Sequence, residues 1–193
     1  MTDVLKYGDR VHIQNGYNGW KGGYLDTNGS SSAGAGAMYG VCTADSPTRD
    51  KGTGTWELLS AAGKKAGDPV RSGDVIHLRN LYNDGGYLDT NGGAASGQTA
   101  AAQYDVSTNK EKDRADSGTA SWRIFAQTSA PADGAVRVND VVILWNLYAS
   151  TGSFLETNGG NPSPNQGKYD VCTSTYWNRS SNVGDWRMVK AQA

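Results

Sequence analysis

The octapeptide Gly22-Gly23-Tyr24-Leu25-Asp26-Thr27-Asn28-Gly29 constrains this chain more than any other feature, because the sequence spells it three times. It returns as Gly85-Gly86-Tyr87-Leu88-Asp89-Thr90-Asn91-Gly92 and, altered, as Gly152-Ser153-Phe154-Leu155-Glu156-Thr157-Asn158-Gly159. The flanks repeat as well. Upstream lie Gly8–Asn15, Gly73–Asn80 and Asn139–Asn146; downstream come Tyr39–Thr43, Tyr104–Thr108 and Tyr169–Thr173. Each copy closes on a tryptophan, Trp56, Trp122 or Trp186. Tyr39, Tyr104 and Tyr169 stand at an even interval (104 − 39 and 169 − 104 both give 65), which sets repeats of about 65 residues at 1–66, 67–132 and 133–193. One supersecondary unit used three times is implied.

Within each copy the apolar period is two. Val11 and Ile13 alternate with Arg10, His12 and Gln14, and the pairs Ile76/Leu78 and Val142/Leu144 keep the same phase. Short alternating runs bounded by Gly, Asp and Asn read as half-buried strands. In the second strand Leu25, Leu88 and Leu155 are expected inward, with the acids at 26, 89 and 156 outward. Asn-Gly and Asp-Gly dipeptides, Asn28-Gly29 among them, are expected to close hairpins. No window carries a helical apolar period, so no helix longer than a turn is expected.

The connections 60–71 and 126–137 are polar and small, too short to separate independent domains. Four short strands cannot bury their own apolar face, so the copies must share a core. The expectation is a single domain over 1–193, all-β: a β-trefoil of twelve strands, three four-stranded units about a pseudo-threefold axis. A three-bladed propeller is the rival, but propellers typically need four or more blades.

Composition excludes several classes. The formal net charge is −1 with acids and bases interspersed, so no field attracts a polyanion and no nucleic acid is expected. The sign-alternating run 110–114 reads as a solvated loop. No apolar run approaches the roughly 18–20 residues of a membrane span. The first residues lack the pattern of a secretory signal, which places the product in the cytoplasm or outside the cell by a non-classical route. Cys42 and Cys172 occupy equivalent positions, where the second copy has Ser107; buried small side chains is the reading preferred to a disulfide. Nothing specifies an oligomer.

The G-D-x-(V/I)-x-(L/I) strand followed by a tyrosine-leucine strand is similar to that of MIR-type trefoils. End to end, the chain resembles the β-trefoil lectins, the class that includes the ricin B chain. The resemblance implies a glycan-binding protein, of galactosyl type. The ricin-type signature has Gln two residues before the last-strand Trp; here Gly54, Ala120 and Gly184 stand there.

Residues recurring in every copy are framework or parts of a threefold site. Trp56, Trp122 and Trp186 read as core anchors. Asp26/Asn28, Asp89/Asn91 and Glu156/Asn158 admit two readings, turn framework and sugar contact. Tyr17, Tyr82 and Tyr148 follow the first strand in the loop leading to those acids, where they either pack the cap or offer an aromatic face to a pyranose. Trp20, Trp145 and Trp177 occur in one copy each, so the frame does not demand them. Trp20, beside Tyr17, and Trp145, at an outward phase, join the candidate sugar contacts.

Three function classes are open to such a chain. A carbohydrate-binding protein with up to three related sites fits the repetition best: single sites of about −4 kcal/mol would gain roughly 10²–10⁴ in avidity. The alternative is a protein-binding trefoil, such as a protease inhibitor or a toxin-associated or cytoskeletal module, acting through one of the divergent stretches 44–54, 107–119 or 173–184. Catalysis is not expected. No nucleophile–base grouping, phosphate loop or metal-ligand spacing stands out, and neither cofactor nor metal is expected.

Overall fold

Val11 and Ile13 are fully buried while Arg10 is exposed, so β1 (Arg10–Asn15) alternates in space as it does in sequence. The computed structural model describes residues 3–95, 97–149, 151–160 and 166–192. The first repeat continues with β2 (Tyr24–Ser30), β3 (Ala37–Ala44) and β4 (Trp56–Ser60). The second supplies β5 (Val75–Asn80), β6 (Tyr87–Gly93), β7 (Ala102–Asn109) and β8 (Trp122–Ala126). The third supplies β9 (Val142–Asn146), β10 (Ser153–Gly160), β11 (Gly167–Ser174) and β12 (Trp186–Lys190). Helical structure among the described residues is confined to single turns at Tyr17–Trp20 and Arg114–Asp116.

The strand pairing corrects the expected β-trefoil of three four-stranded units. The twelve strands form one antiparallel sheet closed on itself, not a three-lobed arrangement. The overturning finding is where the long ladders run. β4 pairs β5 over five residue pairs, β8 pairs β9 over five, and β12 returns to pair β1 over five. All three ladders cross a repeat boundary. A strand whose partner lies in the next copy leaves no lobe with an edge of its own, so the sheet closes and its unpaired edges vanish. The other strands make the ladders β2–β3, β6–β7 and β10–β11, and β3, β7 and β11 pair with one another across the repeats.

One apolar cluster drawn from all three copies fills the interior. Trp56, Trp122 and Trp186 are wholly buried in it, and each indole Nε1 donates to the carbonyl of Leu25, Leu88 or Leu155 at 2.8–2.9 Å. The anchor tryptophan thus ties the last strand of its repeat to the second, with its one polar atom satisfied.

Two local expectations are also corrected. The Asn-Gly pairs at 28–29, 91–92 and 158–159 do not close hairpins. They lie inside strands, where the register jumps: Thr27 faces Val41 but Ser30 faces Tyr39, and the other copies match. Gly29, Gly92 and Gly159 adopt φ of 70°, 75° and 81°, the glycine conformation that a bulge uses. The acids at 26, 89 and 156 are not outward. Asp26, Asp89 and Glu156 are completely buried, because a loop of the same repeat folds over that face of the strand. Opposite them, Cys42 and Cys172 are free and buried. Burial and the neighbouring carboxylate push the Cys42 thiol up to about 12 and Cys172 in the same direction, which leaves both as inert small side chains.

Candidate functional site

A buried carboxylate must be paired, and here the partner is an arginine from the loop before the last strand. Arg49 donates to Asp26 Oδ1 through Nε at 3.1 Å and Nη2 at 2.7 Å, and Nη2 also reaches the carbonyl of Thr27 at 2.8 Å. Arg114 holds Asp89 Oδ1 and the Thr90 carbonyl in the same way, at 3.3, 2.9 and 2.8 Å. Arg179 holds Glu156 Oε1 through Nε at 3.1 Å. The second oxygen of each acid accepts no hydrogen bond from the described residues. Burial therefore outweighs the guanidinium, and all three carboxyls are pushed above the ordinary range, with arginine pulling the other way. Asp26, Asp89 and Glu156 are the buried struts that hold Arg49, Arg114 and Arg179, and only the arginines reach the surface.

The arginines escaped the sequence reading, although they stand at the same interval as the tyrosines (114 − 49 and 179 − 114 both give 65). The stretches that hold them look divergent apart from that one position. Arg114 sits inside the run read as a solvated loop.

Asn15, Asn80 and Asn146, all buried, place the loop tyrosines. Asn80 Nδ2 donates to the Thr53 carbonyl at 2.8 Å, while its Oδ1 accepts from the Tyr82 amide at 3.0 Å and from Thr27 Oγ1 at 3.3 Å. Asn146 does the same for Tyr148 against Thr119 and Thr90, and Asn15 for Tyr17 against Val183 and Thr157. Each asparagine therefore fastens a tyrosine to the arginine loop of the preceding repeat.

The candidate residues consequently assemble across the repeats and not within them. Tyr82 meets Tyr39 edge-on at 5.4 Å, Tyr148 meets Tyr104 at 5.1 Å, and Tyr17 meets Tyr169 at 5.3 Å. A cleft of about 240 Å³ is lined by Asn28, Tyr39, Arg49, Asp50 and Tyr82. Its counterpart in the third repeat, about 320 Å³, is lined by Tyr17, Asn158, Tyr169, Arg179 and Ser180. Asn158 there is held by Thr99 of the second repeat, whose Oγ1 accepts from Nδ2 at 3.0 Å and whose amide donates to Oδ1 at 2.9 Å, so all three copies meet at one pocket. In the second repeat Asn91 Nδ2 donates to Ser107 Oγ at 3.3 Å.

Two candidates lie elsewhere. Trp20 stacks under the Arg187 guanidinium, 4.5 Å from its ring centroid, and its carbonyl accepts from Gln14. Trp145 is wedged between Phe125 and Phe154, at 6.4 and 5.4 Å, and covers Gly152, where a Cβ would strike its ring. Both pack on the outside of the sheet and neither lines the two clefts. His12 and His77 each bond a backbone carbonyl through Nδ1, of Gly54 and Ala120. A larger hollow of about 590 Å³ is lined by Arg10, His12, Thr48, Leu81 and Lys190.

No family model and no curated protein sequence matches this chain. Solved structures do. An SDF2-like protein from Arabidopsis thaliana is 16% identical with a TM-score of 0.72, the match covering 96% of this chain and 94% of that one. A Caenorhabditis elegans protein of unknown function is 18% identical with a TM-score of 0.74, covering 97% of each. The binding domain of botulinum neurotoxin serotype D is 15% identical with a TM-score of 0.63; this chain is covered entirely and 44% of that one. At such identities the likeness concerns the fold alone. Among the described residues no helix is long and apolar enough to cross a membrane.

Proposed function

We propose that this protein is a lectin, binding glycans through three related clefts and carrying out no catalysis. The observation that supports this most is the tyrosine pair repeated at all three junctions, which shares a cleft with an asparagine and a surface-reaching arginine in the first and third. A pyranose offers an apolar C–H face and a fan of hydroxyls; an aromatic ring with a few fixed donors and acceptors suits both. The sugar contacts are Tyr17, Asn158, Tyr169 and Arg179 in the third cleft and Asn28, Tyr39, Arg49 and Tyr82 in the first. Asn91, Tyr104, Arg114 and Tyr148 form the second. Asp26, Asp89 and Glu156 act from beneath, as positioning residues that orient the guanidinium. Trp20 and Trp145 have no part in it.

Chemical-shift mapping with simple galactosides, mannosides and fucosides tests the reading. Shifts clustered at the three junctions are expected, while the absence of shifts with every sugar would overturn it. A protein-binding role is the second reading, favoured by Tyr176 and Trp177, which are 63% and 49% exposed on one loop. It predicts a partner lost on changing those two residues and indifferent to the tyrosine pairs.

A further inference from the structure

The first and third clefts share a plan but differ in charge. The longer arm of Glu156 changes the clamp: only Arg179 Nε reaches Oε1, which also accepts from Asn158 Nδ2 at 2.8 Å, and Nη2 lies 3.5 Å from the Thr157 carbonyl. In the first cleft both Nε and Nη2 of Arg49 are committed to Asp26, with Nη2 also on Thr27 at 2.8 Å. Arg179 therefore keeps the least committed guanidinium of the three. The residue after the arginine differs too. Asp50 lines the first cleft, whereas Ser180 lines the third. Finally, Lys168 stands where the other copies have Met38 and Gln103, its Nζ 5.8 Å from the Tyr169 ring centroid. Its ion-pair partner Asp45 is 82% exposed, so water screens that pairing.

We propose that the third cleft selects a sugar bearing a carboxylate, such as a uronic or sialic acid, held by the free edge of Arg179, with the charge of Lys168 beside Tyr169 adding to the attraction. The inference rests on the glycan reading above and adds the ligand's charge to it. A guanidinium presents paired N–H donors matched to a carboxylate, and with its strut already below it the group meets the ligand without rearranging. The first cleft, where Asp50 stands beside Arg49, takes neutral sugars only.

The test compares glucuronate with glucose, and sialyllactose with lactose, by chemical-shift titration of the full chain, following Tyr17, Gly159, Tyr169 and Arg179. A second protein carries Ser180→Asp, an exposed change that copies the first cleft into the third. In the parent chain each acid is expected to bind at least about tenfold more tightly than its neutral counterpart, with the preference weakening as salt rises. In Ser180→Asp the preference is expected to vanish. Equal affinity for acid and neutral sugar, or a preference that survives Ser180→Asp, overturns the proposal and leaves the glycan reading standing. Silence with all four ligands overturns both.

Discussion

The ring of Tyr17 meets the ring of Tyr169 edge-on at 5.3 Å, although one belongs to the first repeat and the other to the third. No single repeat can make this contact, nor the two like it, so the clefts exist only when the sheet has closed. Tyr17→Ala is expected to abolish shifts at the third cleft while sparing the first, because the wall it removes is local. An edge-to-face pair contributes about 0.5–1.5 kcal/mol beyond its buried area, so the variant should also melt a few degrees lower. Calorimetry and shift mapping on one sample check both.

Arg49→Met would leave Asp26 buried and unpaired. Removing one partner of such a pair costs about 3–5 kcal/mol, whereas Arg49→Met combined with Asp26→Leu should recover much of the loss. Urea unfolding of the four proteins of the cycle measures the coupling. The single variant should also be pH-sensitive. Its carboxyl, raised further above the unfolded value, favours the fold fully only below the unfolded pKa and loses that contribution as pH rises, so the deficit grows from pH 4 to pH 8.

Asp105 and Asp170 lie on the adjoining strands β7 and β11, and burial together with the charge of Asp170 lifts Asp105 to about 6. Gln98 Nε2 donates to Asp170 at 2.9 Å and moderates that residue's own upward shift. Since the folded pKa of Asp105 exceeds the ordinary carboxyl value of 3.8, its protonation stabilises the fold, and that contribution fades between about pH 4 and pH 6. Asp105→Asn should therefore be more stable than the parent at pH 7.5 by about 1 kcal/mol, a figure discounted for partial exposure, and no better at pH 4. Melting curves at the two pH values decide it.

Trp20 and Trp145 sit outside the clefts, so Trp20→Phe should leave glycan affinity unchanged within about twofold. Arg187 loses its stacking partner in that variant, and a stability loss of about 0.5–1 kcal/mol is expected. A tenfold loss of affinity would put Trp20 back among the contacts.

The repeat was legible because it is written in identical letters, and the alternation of Val11 and Ile13 gave the strands their facing. The closure of the sheet was not legible. Which strand Trp56 pairs with depends on ladders to the next copy, and pattern within a copy carries no information about partners outside it. The same blindness set Tyr17 beside Asp26 when its neighbours are Asn158 and Arg179. Alternation also misplaced Asp26: period two gives the side of the strand, but not whether another loop covers that side. The arginine at 49, 114 and 179 was the missing cover, and its even spacing was the signal that would have found it.

The central claim, that the tyrosine pairs at the repeat junctions bind sugar, is tested most directly by a glycan array read with the parent chain and with Tyr17→Ala/Tyr82→Ala/Tyr148→Ala, each verified as folded by calorimetry. The account predicts glycan binding by the parent that falls at least a hundredfold in the triple variant, multivalency amplifying the loss at each cleft. A parent that binds no glycan, or a folded triple variant that binds as the parent does, would contradict it.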